Sequence, residues 1–494
     1  MTNPNRSAAP VDDLAPGMRR SYWLRDALAS ESDPHPLPAA EGHSEHDVVI
    51  VGGGYTGLWT AYFITERNPG ARVAILEQDI CGSGPSGRNG GFLHGWWDQL
   101  PLLEELYGPD QALTIAWEAD ESVDGTRAFC ERHAIDAWFK RGGYLRVSAS
   151  TAQDSDWSGS VAACDRLGVP DQYVALTSDE VQRRCASPVF RAGAFMPNAA
   201  TVQPARLARG LRRVLLERGV TIHEGTRVRS IRVRERVEVR TDHARVLADQ
   251  AVLALNAWAA GWPGHRSSLV AWGSYIALTE PAPDLLRQVG WIGGEAITDS
   301  RFTVQYFRTT PDGRVAFGAG VGAAGYGGRI GATFDSDRRA VERAVAGLRR
   351  LLPNLASVPI AESWGGPIDV SADRLPLIGT RRGGRVHYAH GYSGNGVGPA
   401  RLAGRVMAAR ICGSNDPIAR LAIVNRRVRP FPPEPIRYLG ARLVREALIH
   451  GDELADQGRR TGPLVHAVSR LPRWLGYRLG SQRHSTPRRA SPSE

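Results

Sequence analysis

Three glycines and one glutamate have the spacing of a nucleotide-binding turn. Gly52, Gly54 and Gly57 follow a short apolar run, and Glu77 lies twenty residues beyond the last of them. Glycines at this spacing let a chain turn tightly off a strand, approach a pyrophosphate and pack a helix closely on a sheet. The free N–H groups at the start of such a helix bind phosphate oxygens, and a carboxylate at the position of Glu77 accepts hydrogen bonds from ribose hydroxyls. This chemistry predicts that the chain binds a dinucleotide.

The elements that must position these residues surround them in the sequence. An apolar strand ending at Val51 leads into a predicted helix over 54–67, and a second apolar strand runs directly into Glu77. Tyr55 and Thr56 fall in the first helical turn, where the helix dipole and free N–H groups face the phosphates. The negative charge of Glu77 disfavours a 2′-phosphate. The unit therefore favours FAD or NAD over NADP.

Composition limits the class of protein. The 494 residues suffice for two or three domains, and 42% hydrophobic with 23% charged residues is typical of a globular protein. No apolar run approaches the roughly 20 residues of a membrane-spanning helix. The first 44 residues are polar and lack the apolar core of a secretory signal, which predicts a cytoplasmic protein. Five scattered cysteines form no CxxC pair, so we expect reduced thiols and no metal site.

The net charge of +10 is concentrated at the C-terminus. Residues 459–494 hold eight arginines against the single acid Glu494, so the rest of the chain is nearly balanced. This distribution argues against nucleic-acid binding by the body of the protein. We expect the tail beyond Arg459 to be a disordered, solubilising segment, and contact of its leucines and arginines with an anionic membrane surface is the alternative.

Four further segments carry a family resemblance. They occur in the order Gly82-Ser-Gly-Pro-Ser-Gly-Arg-Asn-Gly-Gly91, Gln203-Pro204, Asp373-Arg-Leu-Pro-Leu-Ile-Gly379 and Gly391-Tyr-Ser-Gly-Asn-Gly396. With the nucleotide turn, they resemble the FAD-dependent oxidoreductases of the D-amino-acid oxidase superfamily over residues 45–415, and are most similar to γ-glutamylputrescine oxidoreductase-type amine oxidases. The resemblance implies FAD as the cofactor. No residue matches a covalent attachment point, so we expect non-covalent FAD.

The fold class expected from this pattern is α/β. Period-two patterning from about residue 270 to 320 predicts a half-exposed antiparallel sheet. A Rossmann-like FAD-binding domain of discontinuous segments would then be interleaved with an antiparallel-sheet α+β substrate domain. The expected boundaries are an N-terminal extension 1–44, an FAD-binding domain of 45–95, 196–268 and 365–415, a substrate domain of 96–195 and 269–364, and a C-terminal extension 416–494 with the basic tail.

The resemblance also assigns residues to the cofactor. Besides the nucleotide turn, the residues implied are Ser86, Gly87, Arg88, Asn89, Gly90, Gly91, Val228, Gly394, Asn395, Gly396 and Val397. The loop with Ser86, Arg88 and Asn89 would reach the pyrophosphate and the flavin. The backbone of residues 226–229, at the end of a strand predicted over 220–228, would meet the adenine. The dipole of the helix that begins at Val397 would stabilise negative charge at flavin N1 and O2 during reduction.

The substrate prediction depends on one glycine. Members resembling glycine oxidase carry an arginine in a Gly-x-Arg-Pro segment that pairs with the substrate carboxylate, whereas this chain has Trp364-Gly-Gly-Pro367, with Gly366 in that place. An amine whose charged group lies farther from the oxidised carbon is therefore expected. The implied reaction moves hydride from carbon to flavin N5 and gives an imine that hydrolyses to an aldehyde, with O2 or a quinone as the electron acceptor.

Four side chains are candidates for the substrate side, and a packing role remains open for each: His94, Tyr275, Tyr306 and Arg308. The alternative activity is a D-amino-acid or N-methyl-amino-acid (glycine- or sarcosine-like) oxidase or dehydrogenase, in which Arg301 or Arg308 binds the carboxylate. A flavin-binding interaction protein and a nicotinamide-only dehydrogenase are further alternatives.

Overall fold

The computed structural model describes residues 19–320, 322–381 and 383–478. The strands are β1 (Gly42–Val51), β2 (Val73–Leu76), β3 (Phe92–His94), β4 (Tyr144–Val147), β5 (Val174–Leu176), β6 (Gly193–Met196), β7 (Ala199–Thr201), β8 (Thr221–His223), β9 (Ser230–Val233), β10 (Val237–Arg240), β11 (Ala244–Leu253), β12 (Val270–Thr279), β13 (Ala296–Asp299), β14 (Gln305–Thr309), β15 (Val315–Ala319), β16 (Ile360–Val370), β17 (Leu377–Thr380) and β18 (Val386–His390). The helices are α1 (Tyr22–Ala29), α2 (Tyr55–Arg67), α3 (Leu100–Tyr107), α4 (Pro109–Arg132), α5 (Ser158–Arg166), α6 (Ser178–Arg184), α7 (Pro204–Glu217), α8 (Pro283–Gln288), α9 (Arg338–Leu351), α10 (Val397–Ile411), α11 (Ile436–Asp456) and α12 (Pro463–Trp474).

The first sheet is built around the predicted βαβ unit. Its strand order is β17-β18-β11-β1-β2-β8, and neighbours are parallel except β17 with β18. β9 and β10 extend from β11 as antiparallel strands. The apolar run at the end of β1 is buried because parallel strands are covered on both faces. One cover is the pair α2 and α10, which approach so closely that a Cβ at Gly404 would lie 2.7 Å from Trp59 Cβ.

The second sheet confirms the expected antiparallel region. Its order is β16-β12-β15-β14-β13-β4-β6-β5, and its pairs are antiparallel except β4 with β13. One face packs on a core that includes Phe307, Phe317 and Trp291 together with Leu348 and Leu351 of α9. The other face is left for the cavity described below. The α/β fold class with a Rossmann-like first sheet is thus confirmed.

Two predicted elements differ from the structure. The apolar residues over 101–132 have the spacing of a single helix, whereas the structure has two, because Gly108 takes a φ of +79° between α3 and α4. The strand expected over 220–228 is limited to β8, since Gly225 turns the chain with a φ of +64°. Val228 therefore lies in irregular chain after β8, still buried at the edge of the first sheet.

The predicted domain boundaries divide the strands between the two sheets except at β1, β6 and β16, which each cross a boundary, while β3 and β7 form a separate two-stranded sheet. β16 begins before residue 365 and ends after it, so this strand crosses the predicted boundary. The strand belongs to the second sheet along its whole length. We propose that the two sheets define the two domains.

The C-terminal extension departs from the sequence expectation. Residues 463–474 form α12, so the prediction of a disordered tail is wrong for this segment. The last part of the predicted tail, 479–494, lies outside the described residues. Within the described ranges, none of the helices combines the length and apolar character needed to cross a bilayer.

Candidate functional site

The nucleotide turn is held by backbone contacts that only glycine permits. Gly52 has a φ of +112° and donates its N–H to Leu76 O at 2.9 Å. A Cβ at Gly57 would lie 2.0 Å from Gly52 O, and one at Gly54 would lie 2.9 Å from Ser86 Oγ. The backbone at the start of α2 is therefore open to a ligand that approaches closely, as a pyrophosphate does.

Glu77 stands at the end of β2 beside this turn. Its carboxylate accepts the N–H of Gly53 at 2.7 Å and the N–H of Asp79 at 2.9 Å. Burial raises the pKa of Glu77 to about 7. The backbone N–H of Thr226 donates to Glu77 O at 2.7 Å, which brings the chain that contains Val228 next to the acid. The residues expected to bind ribose and adenine are thus neighbours.

The side chains of Tyr55 and Thr56 make protein contacts, and only their backbone faces the turn. The Tyr55 hydroxyl donates to Pro204 O at 2.7 Å, while its N–H donates to Ser86 Oγ at 2.8 Å. Thr56 Oγ1 is 2.8 Å from the hydroxyl of Tyr392. This last bond ties the nucleotide turn to the glycine-rich segment 391–396, the late glycine block, which lies more than 300 residues away in sequence.

The loop after β2 is fixed by its own side chains. Asn89 Nδ2 donates to Pro85 O at 3.0 Å, and Asn89 Oδ1 accepts the N–H of Gly91 at 2.7 Å. A Cβ at Gly87 would lie 2.1 Å from a backbone oxygen, and Gly91 has a φ of +73°. Gly90 lies directly over the ring of Tyr306, to which a Cβ would approach within 3.1 Å.

Arg88 holds this loop to the second sheet. Its buried guanidinium bonds to Asp335 Oδ1 at 2.9 Å and Gly365 O at 2.9 Å, and also to Arg19 O. Its Nε donates to Ser83 O at 2.9 Å. Because all these nitrogens are engaged by protein groups, a contact of Arg88 with the cofactor would come from its backbone.

Asp369, which was not among the predicted site residues, positions the late glycine block. Its carboxylate accepts the N–H groups of Gly391 and, at 3.1 Å, Tyr392, while its carbonyl accepts the N–H of Ser393 at 2.9 Å. Burial raises the pKa of Asp369 to about 7. Asp369 lies on β16, 22 residues before Gly391 in the sequence, so the fold and not the sequence brings it to the segment that it orients.

Beyond this anchor the chain enters α10. Gly394 and Asn395 line the cavity, Gly396 is the N-cap of α10, and Val397 is its first residue. The N-terminal N–H groups of this helix therefore face the same cavity as the loop containing Asn89 and Gly90. The structure brings together the two glycine-rich segments that the sequence predicted to share a cofactor.

The cavity between the two sheets has a volume of about 420 Å³. Its second-sheet wall is formed by Tyr144, Arg146, Trp272, Ser274, Thr298 and Tyr306. Its outer wall comes from the C-terminal extension, including Val444 and Leu448 of α11 and Leu471 of α12. These two helices were not predicted to contribute to the site, because the sequence shows an amphipathic segment but not what it covers.

Two of the four substrate-side candidates line this cavity. The His94 ring stacks on Tyr144 at 4.8 Å between centroids, and His94 Nδ1 is 2.8 Å from Gly95 O. The Tyr306 hydroxyl is 2.8 Å from Ser274 Oγ, and burial raises the pKa of Tyr306 to about 12. Tyr306 is thus a neutral, polar group on the second-sheet wall of the cavity.

The other two candidates do not line it, and their expected positions are corrected. Tyr275 is fully buried between Gly273, Gly322 and Gly365, and its hydroxyl donates to Thr333 O. It alternates with the cavity-facing neighbour that precedes it on β12, so its side chain takes the opposite face.

Arg308 shares the face of Tyr306 but lies too far along β14. Its Nη1 donates to Val202 O and its Nε donates to Thr309 O at 3.0 Å. Burial lowers the pKa of Arg308 to about 9. The guanidinium lies beneath Gly91 at the end of the loop 82–91, the flavin loop. Arg308 therefore supports this loop from the side away from the cavity.

Arg301 belongs to an ion cluster that fastens α11. It pairs with Asp456 of α11 and lies 3.6 Å from Asp299 of β13, while Arg350 approaches Asp456 at 3.3 Å. Burial raises the pKa of Asp299 to about 6. The charge of Arg301 is thus matched by carboxylates of the protein itself.

The arrangement fits FAD on structural grounds. The close backbone at Gly52 and Gly54 accommodates a pyrophosphate, and Glu77 suits a ribose. A second helix N-terminus at Val397 opens on the cavity, where a flavin ring would need a positive dipole. A dinucleotide with a redox-active ring accounts for both ends of this site.

Comparisons with known proteins support the same assignment. The DAO family model, described as "FAD dependent oxidoreductase", matches residues 47–410. "Probable oxidoreductase OrdL" of Rhizobium meliloti is 31% identical over 389 residues, covering 77% of this chain and 86% of that protein. Gamma-glutamylputrescine oxidoreductase of Escherichia coli is 29% identical over 390 residues, covering 78% and 88%. The structure of glycine oxidase from Bacillus cereus superposes with a TM-score of 0.63 at 20% identity, covering 78% of this chain and 100% of that one.

Proposed function

This chain belongs to the DAO family of FAD-dependent oxidoreductases, and from that membership we propose that it oxidises a C–N bond of a small-molecule amine to an imine, which hydrolyses to an aldehyde. The family confirms FAD as the cofactor and an enzyme acting on CH–NH groups. When bound, FAD would supply a two-electron acceptor for the hydride that leaves the carbon, and the amine lone pair would form the C=N bond. The nicotinamide-only and interaction-protein alternatives are thereby set aside.

The observation that carries this proposal is the surroundings of Gly366. A Cβ at this position would point at the stem of Arg88, 3.2 Å from its Cβ, beside the flavin loop. By resemblance, this is where glycine-oxidase-like members place the arginine for an α-carboxylate. The guanidinium of Arg88 is turned to Asp335 and does not replace it. An amine without a carboxylate on the reacting carbon therefore fits this end of the cavity best.

His94 and Tyr306 are the side chains proposed to orient the amine. Because Nδ1 of His94 is next to Gly95 O, a neutral ring carries its proton there and leaves Nε2 as an acceptor. That nitrogen has no hydrogen-bond partner among the described residues and can accept a hydrogen bond from the arriving amine. The apolar wall around Trp272 excludes water and favours the neutral amine, the form that loses hydride.

The alternative activity on amino acids required Arg301 or Arg308 to bind the carboxylate, and both arginines are bonded elsewhere. Arg301 is paired with Asp456, and Arg308 is bonded to backbone oxygens outside the cavity. Neither guanidinium can bind an α-carboxylate at the flavin without breaking these contacts. Breaking a buried ion pair is costly in free energy, because it leaves a buried charge without a partner.

The test is an anaerobic titration of the FAD-loaded protein with matched amines and α-amino acids, following bleaching of the oxidised flavin band. We expect bleaching by amines that lack an α-carboxylate. Bleaching by α-amino acids alone would contradict the interpretation of Gly366. Mixing the reduced protein with O2 or with a short-chain quinone then identifies the electron acceptor, which we propose to be one of these two.

A further inference from the structure

The turn between β16 and β17 presents one guanidinium to the cavity without a protein partner. Arg374 lines the cavity and is partly buried, yet no hydrogen bond or ion pair joins its side chain to any residue in the described ranges. Buried and half-buried arginines elsewhere in the site, such as Arg88 and Arg301, are matched by carboxylates or carbonyls. Arg374 is therefore available to a ligand.

The backbone of Arg374 is held in a conformation that arginine rarely adopts. Its φ is +69°, in the left-handed region that disfavours residues with a Cβ. The turn is fixed on both sides, because Asp373 pairs with Arg426, and Ser371 Oγ donates to Leu375 O at 2.9 Å. Strain of this kind persists where surrounding contacts enforce it, and it clusters at binding sites.

The electrostatic surroundings favour a singly charged anion. Burial lowers the pKa of Arg374, with Asp98 raising it and Arg146 lowering it further. The charge of Arg146 is already met by Asp156, and its Nε donates to Ser300 Oγ at 3.1 Å. Asp98 on the same wall offsets part of the charge of Arg374 without a hydrogen bond to it, and its own negative charge opposes a doubly charged phosphonate or phosphate. A planar guanidinium matches a carboxylate by two parallel hydrogen bonds.

The turn follows the end of β16 that is farther from Gly366. β16 continues from Gly366 to Val370, four residues that span about 13 Å at the rise of a strand. Arg374 follows in the turn beyond this strand. A carboxylate bound there lies away from the carbon at the flavin, unlike that of an α-amino acid.

We infer that Arg374 is the anchor for a carboxylate at the far end of the substrate, so that the enzyme selects amines carrying a remote carboxylate. This inference rests on the proposed amine oxidation and names its substrate class. It also explains how a cavity with Gly366 in place of an arginine can still recognise a negatively charged amine. Arg374 acts as a specificity-determining residue that never contacts the reacting C–N bond.

The first experiment measures binding without turnover. Pentanoate, which has no amine to oxidise, is titrated into the FAD-loaded protein by calorimetry. We expect Arg374→Gln and Arg374→Asn to weaken its binding about 10- to 100-fold, the range for losing hydrogen bonds to a charged group. Arg442→Gln, on the exposed side of α11 and outside the cavity, is the matched control and should bind pentanoate as the wild type does.

The variant Arg374→Asn also serves as a control for misfolding. Asn adopts the left-handed region more readily than arginine, so the Tm of Arg374→Asn should equal or exceed that of the wild type. Retention of wild-type pentanoate affinity in both Arg374 variants would overturn the inference. Tighter binding of pentylphosphonate than of pentanoate by the wild type would overturn the choice of a carboxylate.

The second experiment uses turnover. We expect kcat/KM for 5-aminopentanoate to exceed that for pentylamine in the wild type, and the ratio of the two to fall toward one in Arg374→Asn. An unchanged ratio would contradict the anchor. If neither amine reduces the flavin while pentanoate still binds through Arg374, the proposed reaction fails and the carboxylate site stands, so the two failures are distinguishable.

Discussion

At the scale of single residues, the cofactor turn depends on contacts that leave no room for a side chain. Gly57 packs against the turn below it, where a Cβ would lie 2.0 Å from Gly52 O. Gly57→Ala must therefore displace α2 from the first sheet, and we expect purified protein with little bound FAD. Gly70→Ala is the control, since its Cβ would meet only Asn68 Oδ1 at 3.7 Å. The ratio of FAD to protein in the absorption spectrum checks both, and equal ratios would contradict the prediction.

Glu77 makes FAD affinity depend on pH. Its pKa is raised to about 7 by burial in the protein without cofactor, and ribose hydroxyls that donate to the carboxylate favour its charged form. FAD binding should then release a proton, so affinity is highest above pH 7 and falls by about tenfold per pH unit as the pH drops below this value. Titration of the apoprotein with FAD by fluorescence quenching measures this slope. Glu77→Gln should bind more weakly with no such slope, and a slope that persists in this variant would assign it to another group.

At the scale of elements, the N-terminal helix α1 supports the flavin loop from outside. Ser21 Oγ donates to Gly87 O at 2.6 Å, and Trp23 packs edge-on against Trp364 with 5.6 Å between ring centroids. Arg20 pairs with Asp79 at 2.6 Å. A segment outside the family match thus completes the wall behind the cofactor.

Removing the anchor of α1 should destabilise this wall. Trp23 is fully buried, and we expect Trp23→Ala to lower the free energy of unfolding by about 3–5 kcal/mol and to weaken FAD retention. Trp474→Ala is the matched control, because Trp474 is 67% exposed and its loss should change stability by less than about 0.5 kcal/mol. Chemical denaturation of both variants gives the comparison. A similar loss for the two would show that α1 does not support the fold.

At the scale of the whole molecule, the C-terminal extension closes the cavity. α11 is fastened at one end by Arg437, which donates to Arg266 O and, at 3.4 Å, to Leu269 O, and at the other by Asp452, which accepts the N–H of Thr303 at 2.7 Å. α12 packs on α11, and Tyr477 stacks on Phe431 with 5.0 Å between centroids. A single continuous segment of the chain therefore forms the outer wall of the cavity.

Truncation tests this outer wall without requiring turnover. A chain ending at Pro430 lacks α11 and α12, and we expect it to retain FAD while iodide quenches the flavin fluorescence more strongly. A chain ending at Arg478 keeps both helices and serves as the control, with quenching like that of the full protein. Equal quenching in the two truncations would mean that the extension does not shield the flavin.

The sequence determined the parts of this protein whose chemistry is local. The spacing of Gly52, Gly54 and Gly57 before Glu77 predicts a cofactor turn because a strand, a tight turn and a helix start are decided by neighbouring residues. The glycine-rich segments and their order indicated the family. The alternation of apolar and polar residues indicated the antiparallel sheet. These signals needed no knowledge of what packs against them.

Only the tertiary structure decided which side chains face the substrate. Register separates Tyr306, in the cavity, from Tyr275, which is buried behind it, because strand neighbours alternate between faces. The sequence does not distinguish Arg308 from Arg374. In the structure, the guanidinium of Arg308 donates hydrogen bonds to backbone oxygens, whereas no described residue accepts a hydrogen bond from that of Arg374. Partners far apart in sequence determine whether a charge is free to bind a ligand, and the chain that covers the cavity comes from beyond the family match.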